Sequence, residues 1–104
     1  MLPKRRRLSA AEVRNIITAG RSGRAGFLSV KHIPSTQLLR AAVVVSKKVA
    51  RGAVERNRLR RAVYRALVSC SGSGSVVIFV QKIPTNPLAP AFQQELMVLL
   101  EKTR

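Results

Sequence analysis

The chain is organised around a basic segment that reads Glu55-Arg56-Asn57-Arg58-Leu59-Arg60-Arg61-Ala62-Val63-Tyr64-Arg65-Ala66-Leu67. Placed on a helix at about 100° per residue, its apolar members fall on one stripe. Its polar members, with Tyr64 among them, fall on the opposite arc. The segment therefore predicts an amphipathic helix that buries one face and displays a row of arginines.

The residues before this helix predict a strand and a basic loop. Residues 38–46 are rich in β-branched side chains around Val43-Val44-Val45, as in a well-buried strand. Lys47, Lys48 and Arg51 follow and lead into the helix. A buried strand thus passes into the arginine helix through a basic loop.

One further helix is predicted towards each end of the chain. Ser9 and Glu12 have the S-x-x-E spacing of a capping box, so a helix begins here. Gly20 stands where a left-handed C-terminal cap is expected. In the last helix, apolar residues recur at helical spacing at Phe92, Leu96, Leu99 and Leu100.

The segment after the first helix predicts a loop and a short strand. Residues 21–26 have the composition of a basic, mobile loop. Residues 27–32 alternate as a half-buried strand does, and Pro34 and Ser35 mark a turn after it.

A Ser/Gly-rich connector and a central strand complete the pattern. Residues 69–75 are almost without apolar side chains and predict the connector, whereas residues 76–80 predict the strand, with Phe79 in the core. The element order, written α-β-β-(β)-α-β-α, indicates an α/β (α+β) two-layer sandwich. Three helices would pack on one face of a small mixed sheet of about four strands, leaving the other face open.

The composition indicates one domain with a polyanionic partner. A length of 104 residues with 46% hydrophobic content suits a single domain, residues 1–104, with its own core. Twenty Lys and Arg against four acidic residues give a net charge of +16, and 14 of the cations are Arg. The guanidinium fork favours phosphate contacts. Nucleic acid is the indicated partner.

Nothing in the sequence predicts export or a membrane span. The basic residues Lys4 to Arg7 are not followed by the apolar region of a signal peptide. No apolar run approaches the roughly 20 residues that cross a bilayer. The single cysteine, Cys70, has no partner for an internal disulfide. We therefore expect a cytoplasmic protein whose thiol is reduced and without a role.

The sequence is poor in groups for protein-borne catalysis. It has no Asp, and its histidine, His32, stands alone. Neither paired carboxylates nor a nucleophile with its base can be assembled. We expect His32 to be structural or on the surface, and no metal site in the protein. The four acidic residues are Glu12, Glu55, Glu95 and Glu101.

The basic segment resembles that of the bacterial ribonuclease P protein component. The resemblance rests on Lys47-Lys48 at a strand end, on the Arg56-Asn57-Arg58 core with the basic pair that follows, and on Arg65. The remaining predicted elements also fall in the order of that family, so the resemblance spans nearly the whole chain. It implies a left-handed strand-helix-strand crossover around the arginine helix, although right-handed crossovers are the general rule.

The resemblance also implies a function. In that family the protein has no catalytic residues, and it assists a catalytic RNA that removes the 5′ leader of precursor tRNA. The RNA partner requires Mg²⁺, whereas the protein is expected to bind no cofactor, no membrane and no obligatory protein partner. The implied RNA-binding residues are Lys47, Lys48, Arg51, Arg56, Asn57, Arg58, Arg60, Arg61 and Arg65.

A cleft for the single-stranded leader is implied between the first helix and the sheet. Its residues would be Val13, Ile17, Phe27 and Val30. Members of the family often carry aromatic residues at such positions, and here only Phe27 is aromatic. The resemblance therefore implies a leader cleft that either binds the leader more weakly or depends on apolar and backbone contacts instead of stacking.

Three alternatives stay open at the level of sequence. A ribosomal-type structural RNA-binding protein would share the charge. A protein-only nuclease would depend on His32 or Glu55 and would cleave without added RNA. A helix-turn-helix DNA-binding protein is disfavoured because the arginine helix follows a strand instead of a partner helix.

Overall fold

The computed structural model describes residues 7–68, 70, 72–84 and 88–103. These residues form three helices and four strands. In chain order they are α1 (Ala10–Ala19), β1 (Arg21–Arg24), β2 (Leu28–Leu38), β3 (Arg40–Val45), α2 (Ala53–Val68), β4 (Ser73–Val80) and α3 (Leu88–Lys102). All three predicted helices are present.

The strands form one mixed sheet in the order β1-β2-β4-β3. β2 is antiparallel to both β1 and β4, whereas β3 and β4 are parallel neighbours. Parallel neighbours need a crossover connection, and α2 supplies it. The α+β fold with a mixed sheet is thereby confirmed. The left hand of the crossover stays a prediction.

β1 lies where the sequence predicts a mobile loop, so that prediction is wrong for residues 21–24. The sequence Arg-Ser-Gly-Arg has little intrinsic strand propensity. It forms a strand because its residues pair with β2, from Arg21 opposite His32 to Arg24 opposite Ser29. Gly23 allows close packing, because a Cβ there would lie 2.9 Å from the side chain of Thr103. Tertiary pairing therefore overrides local propensity.

β2 continues beyond the predicted turn at Pro34 and Ser35. Its register with β4 shifts between Ile33 and Leu38, so the predicted turn is an irregularity within the strand. Gly74 lies at this point with φ of 94°, and a Cβ there would be 2.3 Å from the Ile33 carbonyl oxygen. Only glycine fits.

β4 starts earlier than predicted. Ser73 and Ser75 pair within the sheet, so residues 73–75 belong to β4 and not to a flexible connector. Residues 69 and 71 of the predicted connector lie outside the described residues.

The main core fills the sheet face that α2 and α3 cover. Alternate residues of β2 and β4 point into it, among them Leu28 and Ile78. α3 contributes the predicted helical stripe. Its four members are each at most 4% exposed: Phe92, Leu96, Leu99 and Leu100.

α1 lies over the other face of the sheet. Ile16 of α1 and Val77 of β4 are 3% and 0% exposed, yet neither belongs to the main core. Val77 points away from Val76 and Ile78 because successive strand residues alternate. The expectation that all helices share one face is therefore wrong for α1, which covers part of the face expected to be open.

α1 begins as predicted and ends differently. The hydroxyl of Ser9 accepts from Glu12 N at 3.2 Å, and Ser9 N donates to the Glu12 carboxylate at 3.1 Å, which completes the capping box. Gly20 is extended, with φ of −74°, instead of left-handed. A Cβ there would lie 2.6 Å from the Ile16 carbonyl oxygen, so glycine lets the chain pass directly from α1 into β1.

Candidate nucleic-acid interface

The exposed arc of α2 carries a row of polar and basic side chains. Asn57, Arg58, Arg61 and Arg65 are all exposed. The opposite side of the helix is fully buried at Leu59, Val63 and Leu67. The predicted amphipathic helix is present, with its arginines turned outward.

Tyr64 departs from the predicted arrangement. Helical spacing predicts that it lies on the polar arc, but it is 7% exposed and belongs to the main core. The reason is that α2 packs against both β3 and α3, so its buried arc is wider than the apolar stripe alone. The interface therefore offers no tyrosine for stacking on a base.

The loop between β3 and α2 extends the basic row. Lys47, Lys48 and Arg51 are exposed there. The amides of Val49 and Ala50 each donate to the Ser46 carbonyl at 3.1 Å, which folds the loop into a turn. Loop and helix together form one surface, which we call the basic surface: Lys47, Lys48, Arg51, Asn57, Arg58, Arg60, Arg61 and Arg65.

Two side-chain pairs order the basic surface. Arg60 Nη1 donates to Asn57 Oδ1 at 2.8 Å, and the Arg58 guanidinium lies 3.7 Å from the Glu55 carboxylate. The exposed pair with Glu55 is weak and competes little with phosphate. Because Arg60 occupies the Asn57 oxygen, the amide NH₂ of Asn57 is the part left to donate to a ligand.

Arg56 is placed differently from its neighbours. It is half-buried, and its Nη1 donates to the carbonyl oxygens of Ala50 at 3.1 Å and Arg51 at 2.6 Å. The predicted RNA-binding residues thus come together on one surface, with Arg56 bonded to the protein's own backbone.

The part of the sheet face that α1 leaves uncovered forms a groove. Ser29 of β2 stands between Arg24 of β1 and Phe79 of β4 in the sheet register. Gln81 donates to the Ser29 hydroxyl at 2.9 Å. The residues that line the groove are Ser22, Gly23, Arg24, Ser29, Val30, Lys31, Phe79 and Gln81.

Phe79 is a groove residue that the sequence prediction missed. Its apolar sequence context predicts a core position, yet Phe79 is only partly buried and lies outside the main core cluster. Strand alternation contained the signal, because Phe79 shares the parity of Val77 and not that of Ile78. The groove combines this aromatic ring with the cations of Arg24 and Lys31, which is a suitable lining for a single nucleic-acid strand.

The four residues predicted for a leader cleft lie in different environments. Val13 is half-buried on α1, and Ile17 on the same helix is 41% exposed. Val30 borders the groove, but its side chain is 1% exposed and belongs to the main core. Phe27 packs against that core too.

Glu95 of α3 fixes the turn that enters β2. Its carboxylate accepts from Phe27 N at 2.9 and 3.0 Å and from Leu28 N at 3.0 Å. The Phe27 carbonyl in turn accepts from Gln81 N at 2.8 Å. Glu95 therefore anchors Phe27. Through the Phe27 carbonyl it also holds Gln81, the residue that follows β4. The sequence held no signal for this long-range contact.

The side chains that are candidates for catalysis, His32 and Glu12, are hydrogen-bonded to other residues of the protein. His32 is 2% exposed, and its two ring nitrogens contact the Thr103 hydroxyl and the Ser73 carbonyl, both at 2.9 Å. The hydrogen bonds that Glu12 accepts, first from Arg40 and then from Ser9 N, lower the pKa of its carboxyl to about 2. Such a carboxylate is a poor general base at neutral pH.

Three further observations concern the described residues. No three of their His, Cys, Asp and Glu side chains lie close enough to hold a metal ion. None of the helices in the described part of the chain is long and apolar enough to span a bilayer. Burial raises the pKa of the Cys70 thiol, whose Sγ bonds to the Ala66 carbonyl at 3.3 Å.

Comparisons with known proteins agree with this architecture. The chain resembles the ribonuclease P protein of Staphylococcus aureus with a TM-score of 0.76 at 20% identity, covering 95% of each chain. It resembles the ribonuclease P protein of Thermotoga maritima with a TM-score of 0.73 at 20% identity, covering 94% of this chain and 97% of that one. At these identities the likeness concerns the fold.

The sequence comparisons define the family. The chain is 32% identical to the ribonuclease P protein component of Pseudanabaena sp. (strain PCC 6903), over 100% of this chain and 96% of that protein. The model of the family described as Ribonuclease P matches residues 2–104. The chain therefore belongs to the ribonuclease P protein family, and it is the protein component of a ribonuclease P enzyme complex.

Proposed function

We propose that this chain, as the RNA-binding subunit of ribonuclease P, uses the basic surface to hold the catalytic RNA and the sheet groove to hold the 5′ leader of precursor tRNA. The observation that carries the first part is the continuity of the basic surface from Lys47 through Arg65. Its cations neutralise phosphates, and their neutralisation releases counterions.

Catalysis is proposed to lie in the RNA and not in the protein. His32 is held by Thr103 and Ser73 inside the protein, and Glu12 is paired with Arg40. The protein's residues therefore contribute affinity and orientation. The hydrolytic chemistry, with its Mg²⁺, belongs to the RNA partner.

The groove suits a single strand better than a duplex. Phe79 of β4 supplies one face for stacking, and Arg24 of β1 and Lys31 of β2 supply charge on the other two strands of the groove. A base on Phe79 would contribute roughly 1–3 kcal/mol, and the two cations would fix the backbone beside it. These residues support a proposed leader contact on β1, β2 and β4.

Two alternatives receive less support. A ribosomal-type RNA-binding role is not favoured, because the family match covers the chain almost from end to end. A protein-only nuclease would need a reactive group, and His32 is buried and hydrogen-bonded. The cytoplasm is the compartment we propose, since tRNA maturation takes place where tRNA is made.

The test is reconstitution with a bacterial ribonuclease P RNA at limiting Mg²⁺. Removal of the 5′ leader is measured with RNA alone, with the protein alone and with both. We expect stimulation only when both are present. Cleavage by the protein alone would support the nuclease alternative, and absence of any stimulation would contradict the proposed function.

A matched pair of variants then locates the effect. Arg58→Ala/Arg61→Ala removes two charges from the basic surface without touching the core, so the circular dichroism spectrum is expected to persist while stimulation is lost. Arg14→Ala/Lys102→Ala removes two exposed charges elsewhere and is expected to retain stimulation. Equal loss in both would indicate a general charge effect.

A further inference from the structure

Arg56 differs from the other arginines of α2 in what its guanidinium contacts. Its Nη1 donates to the carbonyl oxygens of Ala50 at 3.1 Å and of Arg51 at 2.6 Å. Both carbonyls belong to the loop between β3 and α2. The side chain is half-buried, whereas Arg61 and Arg65 are exposed. The guanidinium therefore bonds to its own loop.

These two bonds connect the turn of the loop to the helix. The turn itself closes on the Ser46 carbonyl, which accepts from Val49 N and Ala50 N. The helix begins where Arg56 N donates to the Gly52 carbonyl at 3.0 Å. The carbonyls that Arg56 binds lie between these points. One guanidinium thus fixes the junction of turn and helix.

We propose that Arg56 is a positioning residue, which orders the loop so that Lys47, Lys48 and Arg51 meet the RNA as one preformed set. A loop fixed before binding loses less conformational entropy when its side chains engage phosphate. A cationic donor suits this role, because hydrogen bonds from a charged group to a carbonyl are stronger than neutral ones. The RNA-binding half of this proposal rests on the proposed function, whereas the ordering half does not.

The direct alternative is that Arg56 contacts a phosphate itself, as its neighbours are proposed to do. That contact would require the guanidinium to leave the Ala50 and Arg51 carbonyls. The two explanations differ in whether the effect of Arg56 depends on the lysines of the loop. They also differ in what happens to the loop when no RNA is present.

The first measurement is amide hydrogen exchange of the free protein. In Arg56→Gln, exchange at Val49 and Ala50 is expected to quicken by about tenfold or more, the equivalent of one lost charge-assisted hydrogen bond. Arg65→Gln removes the same charge from the same helix and is expected to leave these amides unchanged. Unchanged exchange in Arg56→Gln would overturn the proposal, whatever the RNA does.

The second measurement is a double-mutant cycle on affinity for the ribonuclease P RNA. Arg56→Gln is compared in the natural chain and in Lys47→Gln/Lys48→Gln. We expect most of its effect to disappear in the second background, because the residues it positions are gone. Arg65→Gln is expected to weaken binding equally in both backgrounds. An equal effect of Arg56→Gln in both would identify a phosphate contact and refute the proposal.

A second variant guards against misfolding. Arg56→Lys keeps the charge, but its Nζ lies one bond closer to the backbone than the Arg56 Nη1 that makes both contacts. It is expected to show faster exchange at Val49 and Ala50 with an unchanged melting temperature. Natural exchange in Arg56→Lys, together with natural affinity, would show that charge alone matters and would overturn the proposal. If the natural chain fails to bind the RNA, the proposed function is wrong. The exchange measurement does not depend on RNA, so it still tests whether Arg56 orders the loop.

Discussion

Arg40 of β3 binds the Glu12 carboxylate of α1 with both terminal nitrogens of its guanidinium. Nη2 donates to Oε1 at 2.9 Å, and Nη1 donates to Oε2. The same arginine donates to the Arg7 carbonyl at 3.2 Å. Leu8 N donates to the Ala41 carbonyl at 3.3 Å nearby. One residue pair therefore fastens the start of α1 to the edge of the sheet, on the face opposite the main core.

This pair predicts loss of stability in acid. The pKa of Glu12 is lowered from 4.5 to about 2, chiefly by the hydrogen bond from Arg40. The unfolded chain therefore binds the proton first as pH falls, and stability decreases between about pH 4.5 and about pH 2. In Glu12→Gln the urea midpoint should vary less with pH over this window. A Glu12→Gln profile as steep as that of the natural chain would contradict the assignment.

Arg61 on the exposed arc of α2 predicts a salt-dependent loss of RNA affinity. If Arg61 neutralises one phosphate, Arg61→Ala should reduce the slope of log affinity against log salt by roughly 0.7–0.9. The slope is measured by titrating the protein into ribonuclease P RNA at several salt concentrations. Lys102→Ala removes an exposed charge from α3 and should leave the slope unchanged. An unchanged slope in Arg61→Ala would remove it from the interface.

Phe92 and Phe79 are predicted to have different roles. Replacing Phe92 should lower the stability of the protein, whereas replacing Phe79 should lower its affinity for the leader. Phe92 is fully buried, so Phe92→Ala should cost about 3–5 kcal/mol of unfolding free energy. Phe79→Leu keeps an apolar side chain in the groove and removes the ring. It should weaken the reconstituted enzyme's affinity for precursor tRNA about tenfold, the equivalent of one stacked base. Affinity for mature tRNA, which has no leader, should be unaffected. Equal weakening for both substrates would place the leader elsewhere.

Glu95 predicts a long-range effect on the turn at Phe27. Glu95→Gln removes the charged acceptor for the amides of Phe27 and Leu28 and should cost about 1–3 kcal/mol of unfolding free energy. Urea denaturation measures this cost. Because Phe27 also accepts from Gln81 N, faster amide exchange at Gln81 should accompany it. Stability and exchange equal to those of the natural chain would show that the contact contributes nothing.

Local rules predicted the elements whose stabilising contacts are close in sequence. The capping box of α1 involves Ser9 and Glu12, three positions apart, and the stripe of α3 follows from helical periodicity. The basic loop and the arginine helix likewise follow from composition and spacing. These features need no knowledge of the partner element.

Long-range packing decided the rest. β1 is a strand because β2 pairs with it, and its own residues give no such signal. Tyr64 is buried because a second element, α3, packs against α2 beyond the apolar stripe. Phe79 faces the groove because α1 covers only part of that sheet face. Each of these outcomes depends on where distant segments meet.

The sequence by itself determined that this protein carries a +16 charge, a basic helix behind a basic loop, and no evident catalytic set. Charge and periodicity are properties of neighbouring residues, so they can be read along the chain. Only the tertiary structure decided that Arg56 turns to its own loop and that Phe79 opens into the groove. Those outcomes depend on contacts between segments, which local sequence does not encode.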